Sequence, residues 1–589
     1  MKMIRYAVSL VLAGVLLASC SSLLQPKENK VVSVAFSEDW KFQPGEGKDS
    51  LWMEPAYNDS AWATVSSKKP FTEQGQATQN GFAWYRKSVV LPDSLKSAIA
   101  EAGAFVLKLG RFASADEVYW NGTRVGKTSE FPPDYKGYSD QERNYFVKAD
   151  SVKLETENLL AIKFHDGWGA GGFLDQSVLT IASAGTNDRL RMTVAVNDSD
   201  YVFLGDEPLS IGVSLQNLNS FALNGTLKVK ITTDTYEAVK ADSMAITIDG
   251  SALSEQEFTF RNPEPGFYRY TVTFERNGQT AAEKQFNLGY EPEKIESPID
   301  AKADLKAFWD NNLKELAKVA PNYKLTLVPE YSKLDYDMYL VEMYSLDNEL
   351  IRGYYGKPKR DGKFPVIVEY MGYGSGPYPP TQSWDGFAHF VLSIRGQALN
   401  KPTNRFGTWV TSGADSKEHY YYRGAFMDVV RAVDFVCSRP KVDASKIAVR
   451  GSSQGGALSF ASAALDKRVK VAAPGIPFLS DYPDYFRIAP WPKSDFDTYM
   501  KEHPEATWEQ VYEVLSYFDI KNLAQWITCP LYMGMGVQDN VCPPHTNFAA
   551  YNQVRSEKRW MACPDYGHST SEAYWNASMK FIRETLEVD

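Results

Sequence analysis

The chain has 589 residues, which is too long for one hydrophobic core, so we expect three or four domains. Its 44% hydrophobic and 23% charged residues are typical of folded globular protein and argue against long disordered regions. The formal charge of −10, without a cluster of Lys and Arg, argues against nucleic acid as a partner.

The N-terminus is typical of an exported lipoprotein. Basic residues precede an apolar run over residues 7–17, which is short for a bilayer span and indicates a cleaved signal. The run leads into Leu17-Ala18-Ser19-Cys20, which resembles a bacterial lipobox and implies lipidation of Cys20. We expect a signal peptide over residues 1–19 and a lipidated tether over 20–31. The protein is then expected in the bacterial cell envelope, at the outer membrane, where the lipid anchor is its only attachment to the bilayer. An ordinary secretory signal with a fortuitous cysteine is the alternative.

Residues 32–186 are predicted to be all-β. Short aromatic strands such as 82–92 alternate with turns, and Asn121-Gly122 is a type I′ hairpin signal. Four motifs resemble the galactose-binding-like jelly roll that opens family 2 glycosidases: Trp84-Tyr85-Arg86-Lys87, Leu109-Gly110, Asn121-Gly122 and the glycine-rich run at 166–172. Tyr135 and Trp168 either stack on sugar rings or have a structural role.

The remaining chain changes its hydrophobic pattern near Pro292. Residues 187–292 alternate polar and apolar side chains between turns, which predicts an immunoglobulin-like β-sandwich. In residues 293–589, short apolar runs alternate with longer amphipathic stretches, which predicts a doubly wound, mostly parallel sheet. The chain is therefore expected to be multidomain, with two β domains before an α/β domain.

A nucleophile elbow lies inside this C-terminal domain. Gly451-Ser452-Ser453-Gln454-Gly455-Gly456 follows the apolar run 447–449 and precedes a helical stretch at 457–465. Glycines on both sides of Ser453 allow the tight strand-to-helix turn that exposes the nucleophile of α/β-hydrolases. The pattern predicts an α/β-hydrolase with Ser453 as its nucleophile.

A serine nucleophile needs a histidine base and an acid that holds the histidine in the correct tautomer. In α/β-hydrolases the order along the chain is Ser, acid, His. Asp539 follows the predicted penultimate strand and His568 the predicted final strand, so we predict a triad of Ser453, Asp539 and His568. His545 and Asp565 are the competing base and acid.

The tetrahedral intermediate of acyl transfer needs backbone N–H donors for its negative charge. Gln454, at the start of the predicted helix, supplies one donor. Tyr373, in the loop after the first core strand, is predicted to supply the second. This chemistry needs neither a metal nor another cofactor, and we predict none.

Five motifs of the C-terminal domain occur together in the order of one enzyme family: Ser393-Ile394-Arg395-Gly396-Gln397, Tyr420-Tyr421-Tyr422-Arg423-Gly424, the elbow, Leu515-Ser516-Tyr517-Phe518-Asp519-Ile520 and Val541-Cys542-Pro543-Pro544. Over about residues 300–589 the chain resembles carbohydrate esterase family 7, the acetyl xylan esterases and cephalosporin-C deacetylases. The resemblance implies the same triad and oxyanion donors. It also places Arg395, Gly396 and Gln397 near the site, where a guanidinium fork can tie several carbonyls together and brace the loops.

The sequence departs from that family in two places. Ser569-Thr570 follow His568 where the family commonly has Glu, and about 290 residues precede the hydrolase domain. The family's compact hexamer is built from bare hydrolase subunits, so the oligomeric state stays open.

Four cysteines besides Cys20 lie in the C-terminal half. Cys542 and Cys563 are both expected near the C-terminal ends of neighbouring strands. Either a disulfide joins them or both are buried free thiols.

These patterns predict a serine carbohydrate esterase that removes acetyl groups from acetylated sugars, of the xylan or xylo-oligosaccharide type, through an acyl-enzyme. The alternatives are a prolyl-oligopeptidase-like serine peptidase and a non-catalytic glycan-binding lipoprotein. Because no predicted triad or oxyanion residue precedes Tyr373, a protein without residues 21–292 is expected to stay active on small acetyl esters.

Overall fold

The computed structural model describes residues 33–588 apart from 36–37, 48–50, 79–80, 113–114, 133–141, 166–171, 174–179, 184, 206–207, 263 and 381–385. The predicted signal peptide, the lipidated tether with Cys20, and the aromatic candidates Tyr135 and Trp168 lie outside the described residues. Within the described part, no helix combines the length and apolar character needed to cross a bilayer. The chain divides into two compact units at the boundary between Arg189 and Leu190.

The first unit is built from two antiparallel sheets. Its elements are β1 (Ser33–Ala35), β2 (Trp40–Pro44), β3 (Ala63–Val65), β4 (Phe82–Val90), α1 (Lys96–Ala102), β5 (Ala104–Arg111), β6 (Ala115–Trp120), β7 (Thr123–Thr128), β8 (Glu142–Lys148), β9 (Glu157–His165) and β10 (Thr180–Ser183). The sheet orders are β1-β10-β5-β8 and β3-β2-β4-β9-β6-β7. Aromatic side chains of both sheets, including Tyr85 and Phe105, are buried in one core. Asn121-Gly122 joins β6 to β7 with positive φ at both residues, as a type I′ turn requires.

Residues 190–290 form what we call the second β domain. Its strands are β11 (Leu190–Val196), β12 (Val202–Phe203), β13 (Leu209–Asn217), β14 (Leu223–Thr233), β15 (Ala238–Ile248), β16 (Leu253–Phe260), β17 (Gly266–Arg276) and β18 (Gln279–Tyr290). They form a three-stranded sheet in the order β11-β13-β16 and a five-stranded sheet in the order β12-β18-β17-β14-β15. Side chains from both sheets, such as Val213 and Tyr270, share one core.

The C-terminal domain has a nine-stranded sheet with helices around it. Its elements are α2 (Leu305–Lys318), β19 (Lys324–Leu327), β20 (Tyr336–Tyr344), β21 (Leu350–Pro358), β22 (Phe364–Tyr370), β23 (Ala388–Ser393), α3 (Tyr421–Cys437), β24 (Val442–Ser452), α4 (Gln454–Leu465), β25 (Val471–Gly475), α5 (Tyr482–Ile488), α6 (Lys493–Glu502), α7 (Trp508–Ser516), α8 (Ile520–Ala524), β26 (Leu531–Gly536), α9 (Pro544–Tyr551), β27 (Lys558–Cys563) and α10 (Glu572–Thr585).

The order of this sheet is β19-β20-β21-β23-β22-β24-β25-β26-β27. Strands β19, β20, β21 and β23 pair antiparallel, and the pairs from β23 to β27 are parallel. The central strands β23 and β25 are buried along their whole length, as parallel strands inside a sheet usually are, and this explains their mostly apolar sequences. The predicted α/β-hydrolase architecture is confirmed.

The second β domain and the hydrolase domain share a hydrophobic core. Val202 and Phe267, both 3% exposed, belong to the same apolar cluster as the hydrolase sheet. The Phe267 ring lies 6.0 Å from the ring of Phe548 in α9. The hydrophobic core of the hydrolase domain therefore extends across the linker into the second β domain. The sequence pattern had instead suggested a separate core for residues 293–589.

Candidate active site

The nucleophile elbow joins β24 to α4. Ser453 has φ 59° and ψ −120°, a strained conformation that points its side chain out of the turn. The elbow glycines are required by close approach: a Cβ on Gly455 would lie 2.0 Å from the carbonyl oxygen of Tyr370, and one on Gly456 2.5 Å from that of Gly475. The start of α4 is thus pressed against two neighbouring strands, which fixes the position of Ser453.

The three residues predicted as the triad form one hydrogen-bonded chain. Ser453 Oγ lies 3.0 Å from Nε2 of His568, and Nδ1 of His568 lies 2.9 Å from Oδ2 of Asp539. Asp539 is 2% exposed, and its Oδ1 accepts the backbone N–H groups of Val541 and Cys542. Because the carboxylate can only accept, Nδ1 carries a proton and Nε2 of the neutral ring is free to take one from the serine.

The charge of Asp539 sets the protonation behaviour of His568. Burial disfavours the imidazolium, but the adjacent carboxylate of Asp539 outweighs burial and raises the pKa of His568 above its ordinary value. The thiol of Cys542 contributes in the same direction. The carboxylate of Asp539 is therefore placed to stabilise an imidazolium on His568.

The competing candidates have other partners. Nδ1 of His545 lies 2.8 Å from Oδ2 of Asp234 in the second β domain, and the Asp565 carboxylate lies near Tyr201, whose pKa burial and this carboxylate raise. His545, Asp481 and Asp484 also lie close enough together to hold a metal ion. However, Lys521 donates to Asp481 at 2.8 Å and Arg487 to Asp484 at 2.9 Å, so we interpret this group as ion pairs.

The two loops predicted to form the oxyanion hole are held together by Gln397. Its Oε1 accepts the backbone N–H of Gly374, next to Tyr373, at 3.1 Å. The side-chain amides of Gln397 and Gln454 also donate to each other, at 3.0 and 3.1 Å. The backbone N–H of Gln454 belongs to the first turn of α4, where N–H groups have no partner within the helix. The loop of Tyr373 is therefore tied to the start of α4 at Gln454, and the oxyanion roles of these two residues stay a prediction.

Arg395 binds differently from the expectation. Its guanidinium does not gather several carbonyls: it forms a buried, two-pronged ion pair with Asp428 of α3 at 2.7 and 3.0 Å and donates to a single carbonyl, that of Leu346. The backbone N–H of Arg395 also donates to Asp428. Gly396 has φ 69°, and a Cβ there would lie 2.6 Å from Oδ1 of Asn404. The ion pair with Asp428 and the tight turn at Gly396 therefore fix the position of the Arg395-Gly396-Gln397 loop.

Two features near Ser453 were not assigned from the sequence. The buried thiol of Cys542 lies 3.9 Å from Ser453 Oγ, and the position of Cys542 three residues after Asp539 was the available signal. An aromatic cluster surrounds Tyr373, whose ring centroid is 5.2 Å from that of Trp409 and 5.3 Å from that of Trp491. Because these tryptophans come from distant segments, only the fold brings them to Tyr373.

The described cysteines are free thiols. Cys542 lies beside the nucleophile, whereas the thiol of Cys563 donates to Oγ of Ser571 at 3.3 Å. Of the two alternatives left open by the sequence, the structure has the free thiols.

Comparison with known proteins gives consistent matches. Residues 290–585, half of the chain, match the family model of acetyl xylan esterase (AXE1). The acetyl esterase Axe7A of Xylanibacter ruminicola is 28% identical over 417 residues, which cover 68% of this chain and 91% of that protein. This match is longer than the C-terminal domain, so it continues into the preceding residues.

Two solved structures match the C-terminal half. An acetyl xylan esterase from Paenibacillus sp. R4 is 33% identical, with a TM-score of 0.47, and the match covers 50% of this chain and 98% of that one. Acetyl xylan esterase 1 from Thermoanaerobacterium sp. JW/SL YS485 is 28% identical, with a TM-score of 0.45 and the same coverage.

Proposed function

Since the chain belongs to the acetyl xylan esterase family and is a carboxylic ester hydrolase, we propose that it removes acetyl groups from acetylated carbohydrates, of the xylan or xylo-oligosaccharide type, through an acyl-enzyme on Ser453. The observation that carries this proposal is the hydrogen-bonded chain from Asp539 through His568 to Ser453 at the elbow. A hydroxyl held 3.0 Å from an imidazole nitrogen, with a carboxylate behind it, is the arrangement that activates a serine.

Each group has a defined role in the proposed reaction. Ser453 Oγ attacks the acetyl carbonyl carbon while Nε2 of His568 takes its proton, and Asp539 stabilises the imidazolium. The backbone N–H groups of Tyr373 and Gln454 bind the carbonyl oxygen as it becomes negative. His568 then returns the proton to the leaving sugar oxygen. Water repeats the sequence on the acetyl-serine and releases acetate.

The first test is acetate release from acetylated xylan, acetylated xylo-oligosaccharides and p-nitrophenyl acetate. Ser453→Ala should lower the rate on each by about 10⁴-fold or more, because the nucleophile is lost. Ser452→Ala is the matched control, since it removes a hydroxyl one residue away and leaves the triad intact. A Ser453→Ala protein within a few-fold of the parent rate would overturn the proposal.

The same assays separate the two alternatives. A prolyl-oligopeptidase-like enzyme would cleave peptide p-nitroanilides in preference to acetyl esters. A non-catalytic glycan-binding protein would release no acetate above the Ser453→Ala background. The triad geometry favours an enzyme over the second alternative, and family membership favours an esterase over the first.

For the first unit we propose a galactose-binding-like jelly roll over residues 32–186. Its two antiparallel sheets with a shared aromatic core support this. For residues 187–292 we propose an immunoglobulin-like sandwich, supported by the three-stranded and five-stranded sheets. Comparing the strand connections with both fold types in an experimental structure would test these assignments.

The proposed location is the bacterial outer membrane, with a lipid on Cys20. The lipobox-like sequence supports it. Metabolic labelling with a palmitate analogue should mark the wild-type protein and leave Cys20→Ala unlabelled. Equal labelling of both proteins would contradict a lipid anchor at this residue.

A further inference from the structure

Gln538, which directly precedes Asp539, connects the two loops that carry the acid and the base. Its backbone N–H donates to the carbonyl of Tyr566 at 2.9 Å, and its side-chain amide donates to the carbonyl of Pro564 at 2.8 Å. Tyr566 and Pro564 lie in the loop between β27 and His568. One residue thus ties the loop after β26 to the loop after β27.

The same side chain is also bound by the second β domain. The backbone N–H of Asn287 in β18 donates to Oε1 of Gln538 at 2.7 Å, and Nε2 of Gln538 donates back to the carbonyl of Asn287 at 3.1 Å. The side chain of Asn287 adds a third hydrogen bond, to the carbonyl of Val537, at 3.2 Å. The amide of Gln538 therefore pairs with β18 as the backbone of a neighbouring strand would.

The position of Asn287 explains why its backbone is available. On one side β18 pairs with β17 along its length, and on the other β12 pairs only with residues 289–290. Because β12 and β18 run parallel, Asn287 lies just before the start of β12, on the edge that faces the hydrolase domain. Gln538 occupies the place that β12 would take if it began earlier in the chain.

A second contact reaches the loop that carries His568. The side chain of Tyr201, directly before β12, lies close enough to Asp565 that burial together with this carboxylate raises the pKa of Tyr201. The edge formed by Tyr201 and Asn287 therefore holds both triad loops, each within a few residues of a catalytic group.

We propose that the second β domain contributes to catalysis by the esterase: its edge at Asn287, acting through Gln538, fixes the separation of the Asp539 and His568 loops. This inference rests on the proposed triad. Gln538 is a positioning residue, because it touches neither the reacting atoms nor the nucleophile. Its contribution is to keep the Asp539–His568 hydrogen bond at the 2.9 Å observed.

The test replaces the Gln538 amide with an apolar thioether chain of the same length in the full-length protein, Gln538→Met. We expect kcat on p-nitrophenyl acetate to fall by about 10- to 100-fold while KM changes less than about twofold, because a displacement of about 1 Å impairs catalysis more than binding. The midpoint of the pH–rate profile should also move toward lower pH. His568 faces the charge of Asp539 and the thiol of Cys542, and a looser contact with Asp539 stabilises its imidazolium less.

The matched control is Asn552→Leu, which likewise replaces a side-chain amide with an apolar group. The Asn552 side chain donates to the carbonyls of Pro292 and Ile295, both at 3.1 Å, where the linker meets the hydrolase domain. This change removes hydrogen bonds of the same kind away from the triad loops, so it should lower the melting temperature and leave kcat and the pH midpoint unchanged. If both variants lower kcat equally, the effect is general destabilisation and the inference is overturned.

Two further results cover a variant that does not fold and a variant that folds but keeps its activity. If Gln538→Met does not fold, Gln538→Glu preserves the shape and the bond from the Asn287 N–H but sets a carboxylate oxygen against the carbonyls of Asn287 and Pro564 in place of the Nε2 donor, and a fall in kcat is expected here too. A cooperatively melting Gln538→Met or Gln538→Glu protein with kcat within twofold of the parent overturns the inference. Failure of the proposed function is distinguishable, because Ser453→Ala would then keep its activity, whereas failure of this inference alone leaves Ser453→Ala inactive.

Discussion

Two truncated proteins should differ strongly in stability and in activity, whereas the sequence pattern predicted that the shorter one would also stay active. Deleting residues 21–189 removes a compact unit and leaves the second β domain and the hydrolase domain together. We expect this protein to melt cooperatively and to retain kcat on p-nitrophenyl acetate within about twofold. Deleting residues 21–292 cuts through a shared core, and we expect that protein to unfold or to lose most of its activity.

The size of the second effect follows from the contacts removed. Val202 and Phe267 are each 3% exposed, and burying such side chains contributes about 1.5–3 kcal/mol each. The Asp234–His545 contact and the hydrogen bonds between Asn287 and Gln538 are lost as well, at about 1 kcal/mol each. The loss is roughly 5–10 kcal/mol. That is comparable to the whole free energy of unfolding of a typical domain, about 5–15 kcal/mol.

Circular dichroism melts and p-nitrophenyl acetate kinetics of both truncations are the assay. The reasoning would be refuted if the protein lacking residues 21–292 melted within a few degrees of the longer one and had the same kcat. The hydrolase domain would then be autonomous, and the contacts across the linker would contribute little to its stability.

Three further outcomes are expected. The rate on p-nitrophenyl acetate should rise with pH through the ionisation of His568, because the base must be neutral. The midpoint should lie above the ordinary histidine value, since Asp539 raises the pKa of His568. A flat profile between pH 5 and 8, with chemistry rate-limiting, would count against His568. Asp539→Asn should move that midpoint to lower pH and reduce kcat by about 10⁴-fold, and an unchanged midpoint would contradict the assigned coupling. Gly455→Ala should lower both melting temperature and kcat, since the new methyl would lie 2.0 Å from a backbone oxygen, whereas Gly212→Ala, which meets no atom within 4 Å, should have little effect on either.

The parts of the site that sequence predicts are those set by local pattern and chain order. A glycine-flanked serine between an apolar run and a helical stretch defines the elbow, whose dihedral angles at Ser453 follow from that turn. Asp539 and His568 could be selected because parallel strands end at one edge of the sheet, so residues just after β26 and β27 must lie close together.

The parts that sequence could not predict depend on which distant segments meet. Nothing near Arg395 indicates that its partner is Asp428, since α3 is reached only through the fold. Likewise, Asn287 lies in an unremarkable alternating strand, and its contact with Gln538 depends on how β18 lies against the hydrolase domain. An alternating pattern identifies the strand but not the domain that its free edge binds.

The reciprocal amide pair between Gln397 and Gln454 has a consequence for how the enzyme responds to its surroundings. Both side chains are almost completely buried and neither carries a charge at any pH, and the hydroxyl of Tyr422 donates a further hydrogen bond to Gln454 at 2.9 Å. The spacing of the two loops proposed to form the oxyanion hole is therefore set by neutral groups that salt does not screen and acid does not protonate. Acid should switch the base off reversibly while the hole keeps its width, so activity lost at low pH should return at once on neutralisation.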